Sequence, residues 1–334
     1  MNLYPPAAHD VYNEVKLHFS SSIDSACEEI KKACKGMGTN EKALIKVLAS
    51  RSPNDRSMIA IRYKELFGSE LKDLLDSETS GDFGFALQLL VMPLPEAEAF
   101  ILNYATSGAG TTENLIYPVL MGRTDAEMGI LKRAYYEKYG KDLAVVMDSE
   151  LGGDFKKVIM TAMQAPVIEY SSNFHTRAKA EEDADKLYNA GEGKWGTDEE
   201  GFLKVLLSSP FQHVREIDEI YRRKYNENGL KAAAQKEFTG EAENALVFFV
   251  RLAVETKELL ADFVESTMKG MGTDETDLSA ALVRYHPLLP MFESTFERKN
   301  KTTIKDRVKG EVSGDFEDLL VTLLDAPSTA PAHA

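Results

Sequence analysis

The sequence predicts an all-α fold of four homologous repeats, each about seventy residues long and built of five helices. Three observations carry this. A glycine–threonine motif recurs as Lys35-Gly36-Met37-Gly38-Thr39, Ser107-Gly108-Ala109-Gly110-Thr111, Lys194-Trp195-Gly196-Thr197 and Lys269-Gly270-Met271-Gly272-Thr273, with last glycines 72, 86 and 76 residues apart. Apolar residues follow each motif at helical spacing, as at Leu44, Val47 and Leu48. Strand-like alternation is nowhere sustained.

The elements follow in chain order. The first helix of a repeat carries an apolar stripe, Ile23, Ala26, Cys27, Ile30 and Ala33 in the first copy, and the glycine pair ends it. The threonine is then a suitable N-cap for the second helix. Glu41, Glu113, Glu199 and Glu275 follow in its first turn, where they complement the positive end of the helix dipole. A third helix carries paired residues four apart, namely Tyr63 and Phe67, Tyr135 and Tyr139, Tyr221 and Tyr225, and Phe296 and Asn300, read as core. A fourth helix leads to a second loop signature, Glu78-Thr79-Ser80-Gly81, Glu150-Leu151-Gly152-Gly153, Glu237-Phe238-Thr239-Gly240 and Glu311-Val312-Ser313-Gly314. A last apolar helix ends near Pro93, Pro166 or Pro327 in three copies. The expected division is a tail 1–20, repeats at 21–93, 94–166, 185–254 and 255–327, a connector 167–184 and a loose tail 328–334. Residues 177–186, rich in Glu and Asp, read as a solvated helical connector; the segment before the first repeat reads as packed along the repeats, with a short apolar face of Val11, Tyr12, Val15 and Phe19 as the alternative.

Composition narrows the function. With 43% apolar and 28% charged residues the chain can bury a core, and disorder is excluded as its main state. Its net charge of −15 repels phosphate backbones, so no direct nucleic-acid partner is expected. The first ten residues lack the pattern of a secretory signal, and the longest apolar stretches are too short to span a bilayer. Cys27 and Cys34, seven apart on one helix, cannot form a disulfide with each other, which suits a reducing, cytoplasmic setting. Six scattered histidines and no nucleophile motif argue against an enzyme.

The two loops of each repeat are related by distance. From the last glycine of the first loop to the glutamate of the second is 40, 40, 41 and 39 residues in the four copies. A Gly-x-Gly turn lets carbonyl oxygens converge, and a carboxylate from a second loop can complete the set for a hard cation; Ca²⁺ fits best, because it accepts many oxygens at loose geometry. One carboxylate among neutral oxygens makes a weak site, with a dissociation constant on the order of 10⁻⁴ M or worse, which leaves positions open to a lipid phosphate. The same residues could instead serve only as caps and helix-end charges. At the loop tips stand Met37, Ala109, Trp195 and Met271; Met37, Trp195 and Met271 are candidate lipid contacts, with packing inside the repeat as the alternative for Trp195.

Over about Ser21 to Ala326 these motifs resemble the repeats of the annexin family. The resemblance implies four five-helix modules arranged as a curved disc, with calcium loops on one face that bridge to acidic phospholipid. It implies carbonyl ligands from Cys34, Gly36 and Gly38 with the Glu78 carboxylate, and from Thr106, Gly108 and Gly110 with Glu150. The third set is Gly191, Lys194 and Gly196 with Glu237, and the fourth is Met268, Gly270 and Gly272 with Glu311. Implied partners are an acidic membrane surface and, as a second class, cytoskeletal or other proteins, with a monomer in solution and lateral assembly on a membrane. A helical scaffold for protein partners, little dependent on calcium, is the alternative function. Departures from the family pattern are Ser107 in place of a basic residue, and Ser209 and Tyr285 where Arg51 and Arg123 close the second helix in the first two copies. Arg284 stands one position early, which leaves an interhelical ion pair there open.

Overall fold

The computed structural model describes residues 3–36, 38–108, 110–167, 169–193, 196–270 and 272–328. About 73% of the chain is helical. A short α1 (Pro6–Tyr12) precedes the first repeat, α2 (Ser21–Ala33), α3 (Glu41–Leu48), α4 (Pro53–Phe67), α5 (Leu71–Glu78) and α6 (Gly81–Val91). The second is α7 (Leu94–Thr106), α8 (Glu113–Leu120), α9 (Asp125–Tyr139), α10 (Leu143–Glu150) and α11 (Gly153–Gln164). The third is α12 (Arg177–Ala190), α13 (Glu199–Leu207), α14 (Phe211–Lys224), α15 (Gly229–Glu237) and α16 (Gly240–Val254). The fourth is α17 (Thr256–Ser266), α18 (Glu275–Tyr285), a single 3-10 turn His286–Leu288, α19 (Leu289–Asn300), α20 (Ile304–Lys309) and α21 (Gly314–Asp325). Each repeat thus holds five α-helices, as its sequence predicts.

Local chemistry sets the boundaries. Ser52, Thr124 and Thr303 cap α4, α9 and α20 by accepting from the amides of Asp55, Glu127 and Asp306 at 3.1, 3.2 and 3.0 Å. Each bond satisfies one of the donors that a helix start leaves free and is worth about 1 kcal/mol. The second helix of a repeat is capped differently from the expectation. Asn40, Asp198 and Asp274, one residue beyond the motif threonine, supply the side-chain oxygens for α3, α13 and α18. The threonine hydroxyls are engaged elsewhere.

Two compact units hold the repeats in pairs, Leu102–Leu259 in one and Leu3–Ile101 with the residues from Leu260 onward in the other. In the first unit α11 packs against α8, α13 and α16. In the second α6 packs against α18 and α21, and α21 against α3. The facing positions are apolar: Leu44, Leu48, Leu87, Leu278 and Leu320 are fully buried in the second unit, and Ile116, Leu120, Val158, Leu203 and Leu246 are almost or fully so in the first. Each such side chain contributes about 2 kcal/mol. Of the aromatic pairs, Tyr63, Tyr135, Tyr221 and Phe296 are core, whereas their partners four residues on are half-buried.

One expectation is corrected here, the residues that seat the N-terminal segment are identified, and the ion pair left open is found. Residues 177–186 are not a solvated connector but most of α12, whose Ala180, Asp183, Ala184 and Leu187 are buried, so the expected boundary at 184/185 falls inside a helix. The face before the first repeat is Leu3, Tyr4, Ala7, Ala8 and Tyr12, all buried, while Val15 is 52% exposed. Tyr4 donates to Glu98 at 2.6 Å, and Glu98 pairs with Arg284 at 2.9 Å inside the same unit, so the early arginine does form an ion pair, with side chains 2% and 0% exposed.

Buried Asp183 ties α12 to α14. Its carboxylate lies 3.0 Å from His213 Nε2 and accepts from Lys179 Nζ at 2.6 Å and Lys186 Nζ at 3.3 Å. Burial pushes its pKa up, but these bonds outweigh it and hold the group at about 2, below its ordinary 3.8. Because the folded value is the lower one, the stabilisation is complete above the ordinary value and is lost as pH falls through about 2. Asp183→Asn is therefore expected to cost on the order of 2 kcal/mol at neutral pH. Urea titrations should show the gap from wild type closing between about pH 4 and about pH 2; a pH-independent gap would refute the assignment.

Candidate functional site: the paired loops

Every first loop is closed by one backbone hydrogen bond. The amides of Asn40, Thr112, Asp198 and Asp274 donate to the carbonyls of Ala33, Ala105, Ala190 and Thr267 at 3.0, 2.9, 2.7 and 2.9 Å. The third ring is one residue longer than the others, as its sequence requires. The last glycine of each loop needs a backbone that other residues rarely adopt, with φ of 87° at Gly38, 108° at Gly110, 81° at Gly196 and 108° at Gly272. This explains why glycine recurs there. Met37, Lys194, Trp195 and Met271, three of them expected lipid contacts and Lys194 an expected ligand, lie outside the described residues.

The threonine hydroxyls join the two loops of a repeat. Thr39 Oγ1 donates to Glu78 Oε2 at 2.7 Å, Thr273 Oγ1 to Glu311 Oε2 at 2.9 Å, and Thr197 Oγ1 to the Glu237 carboxylate. Each of these glutamates is half-buried at the end of, or just beyond, the fourth helix. The third pair is corroborated by Gly191, where an added Cβ would stand 2.9 Å from Glu237 Cγ. In the second repeat Thr111 turns instead to Glu113, at 2.6 Å, and Glu150 is exposed. Thr106 and Glu150 still line one cavity of about 390 Å³. Sequence spacing thus brings together Glu78, Glu237 and Glu311 with their loops directly, and Glu150 with its loop across a cavity.

The electrostatics suit a cation with oxygen ligands. Burial pushes the Cys34 thiol up to about 11, helped by the charge of Glu78, so the thiol stays protonated and the backbone oxygen is what Cys34 can offer. Among the described residues no three His, Cys, Asp or Glu side chains group as metal ligands, so a site here must draw on carbonyls. One carboxylate with neutral oxygens is a donor set for a hard ion rather than for zinc. Glu78 and Glu311 also share the lining of a cavity of about 520 Å³ with Glu41, Asp82, Glu275 and Asp315.

Sequence reasoning missed two participants. Glu192, in the third loop, accepts from Tyr221 Oη at 2.8 Å and from Asn226 and Lys236 at 3.3 Å, which anchors that loop to its own repeat. Arg307 reaches the fourth loop pair: its Nη2 donates to the Met268 carbonyl at 2.6 Å and its Nη1 to the Glu311 carboxylate. The signal for Arg307 was present, because the residue four before the second-loop glutamate is Leu74, Val146 or Ala233 in the other copies.

Five-helix repeats, three of which join a closed glycine loop to a glutamate from a second loop, define a helical-repeat protein. The annexin family model matches residues 25–90, 96–162, 182–248 and 260–323. The chain belongs to the annexin family, whose members are known for calcium-dependent binding of phospholipid and are in general binding proteins rather than enzymes. It is 35% identical to annexin A13 of Mus musculus over 309 residues, 92% of this chain and 96% of that protein. It is similar to the structure of annexin III, with a TM-score of 0.84 and 32% identity over 92% of this chain and 95% of the other. It is also similar to calcium-bound annexin (Sm)1, with a TM-score of 0.77 and 27% identity over 96% and 93%. No helix among the described residues is long and apolar enough to cross a membrane.

Proposed function

We propose that this chain binds acidic phospholipid surfaces peripherally when calcium rises, from the cytoplasm. The observation that carries the proposal is the hydroxyl bridge from the glycine-loop threonine to the second-loop glutamate, Thr39 to Glu78 and Thr197 to Glu237, which puts a carboxylate against a glycine turn. In the first repeat the carbonyls of Cys34, Gly36 and Gly38 with Glu78 would hold Ca²⁺. In the second those of Thr106, Gly108 and Gly110 with Glu150 would do so, and in the third Gly191 and Gly196, joined by Lys194, with Glu237.

Calcium supplies positive charge that can meet a lipid phosphate. Each filled set would carry 2 − 1 = +1, which lets a protein of net charge −15 approach an anionic bilayer. The chain's own part is to hold one carboxylate per site in place before the ion arrives, so that little ordering is left for the binding step. Calcium and lipid must then raise each other's affinity by equal factors.

Sedimentation with phosphatidylserine vesicles tests this. Pelleting is expected with calcium and not with a chelator, and neutral phosphatidylcholine vesicles should pellet little in either condition. Equal pelleting with and without calcium would end the proposal and leave the helical scaffold as the alternative.

A further inference from the structure

The fourth loop pair contains a cation of its own. Arg307 lies in the last turn of α20, and Glu311 stands two residues beyond the end of that helix. Its guanidinium donates through Nη1 to Glu311, through Nη2 to the Met268 carbonyl at 2.6 Å, and its Nε lies 3.3 Å from both oxygens of Glu265. The other oxygen of Glu311 accepts from Thr273 at 2.9 Å. Both oxygens of the carboxylate and the first loop carbonyl are therefore already engaged, at the groups that the fourth repeat would offer to a metal. In the other repeats the equivalent positions are Leu74, Val146 and Ala233, which carry no charge.

We propose that Arg307 is a built-in substitute for calcium, which fills the fourth loop pair and leaves the chain with three calcium-competent repeats. The inference rests on the calcium proposal for the first three repeats. The donor chemistry supports it: a guanidinium keeps its charge at every physiological pH and forks between two acceptors. Being tethered, it is present at high effective concentration without recruitment. An incoming Ca²⁺ would have to break the pair with Glu311 and then sit beside the displaced positive charge, which repels it. Glu265 holds the guanidinium from the far side and opposes its swinging away.

The test isolates the fourth repeat. In Glu78→Gln/Glu150→Gln/Glu237→Gln, calorimetric titration with CaCl₂ is expected to show no uptake into the millimolar range. Adding Arg307→Leu, the residue type of the first repeat, is expected to restore one ion per chain. Far-UV circular dichroism melts check that each variant folds, and Arg307→Met replaces the leucine variant if that one does not. Uptake of one ion by the triple variant with Arg307 in place overturns the proposal, as does a quadruple variant that stays empty. Wild type is titrated alongside. Failure of wild type to bind, with one ion taken up by the quadruple variant, sinks the calcium proposal for the first three repeats and leaves standing only that Arg307 fills the fourth loop pair.

Discussion

Exchanging Glu78, Glu150 and Glu237 together for glutamine is expected to raise the calcium needed for half-maximal vesicle pelleting by on the order of 100-fold. The substitution is chosen because glutamine keeps the shape and length of the side chain and one acceptor oxygen. The hydroxyls of Thr39 and Thr197, which donate to the carboxylates of Glu78 and Glu237, retain a partner, and the two loops stay together. What is lost is one negative charge per site, and with it the strongest attraction that a set of otherwise neutral oxygens has for a divalent ion. Unfolding midpoints should change little, since the three side chains are half-buried or exposed. Pelleting at unchanged calcium concentration would show that the loops are architecture and that lipid is held elsewhere.

The second large effect is expected in stability. Glu98→Ala removes a carboxylate that is fully buried and paired with Arg284, whose side chain is 2% exposed. The guanidinium would lose that counter-charge in a place water does not reach, and such a loss costs about 3–5 kcal/mol. Tyr4 would lose the acceptor that its hydroxyl now uses at 2.6 Å. Measured by urea unfolding, this is a large fraction of the 5–15 kcal/mol typical of folded proteins. The double variant Glu98→Leu/Arg284→Met should recover much of the loss, because an apolar pair of similar volume avoids leaving a charge uncompensated. A single-variant loss below about 1 kcal/mol would contradict the burial described for the pair.

Much of the architecture was legible because it is written in glycine, proline and spacing. The four glycine loops, the constant distance to the second-loop glutamates and the apolar stripes all reappear as closed rings, threonine–glutamate contacts and buried helix faces. Where sequence reasoning went astray, a side chain had more than one possible use. The motif threonine looks like an N-cap from its position, but its hydroxyl has a stronger acceptor in the glutamate carboxylate, and Asn40, Asp198 and Asp274 take over the cap. Helix α12 looks solvated because most of its surface is charged; its buried positions 180, 183, 184 and 187 keep helical spacing but are occupied by two alanines, one aspartate and a single leucine. That aspartate is tolerated inside because Lys179 and Lys186 of its own helix and His213 of α14 meet it, and of these only His213 cannot be seen from α12 alone.

The spacing made legible which second-loop glutamate lies against which motif threonine in the first, third and fourth copies, and less so the differences among copies. The second repeat differs through Thr111, which finds Glu113 two residues away before it finds Glu150. The fourth differs through Arg307, a single residue in a position that carries no motif.

The seating of Leu3 and Tyr4 among buried side chains, 4% exposed each, bears on how the protein can be handled. Tyr4→Phe, which deletes only the hydroxyl that meets Glu98, keeps the ring seated while removing that contact. Variants that unseat Leu3 and Tyr4 would wet the Glu98–Arg284 pair, and they should be judged for aggregation before their lipid affinity is compared with that of wild type.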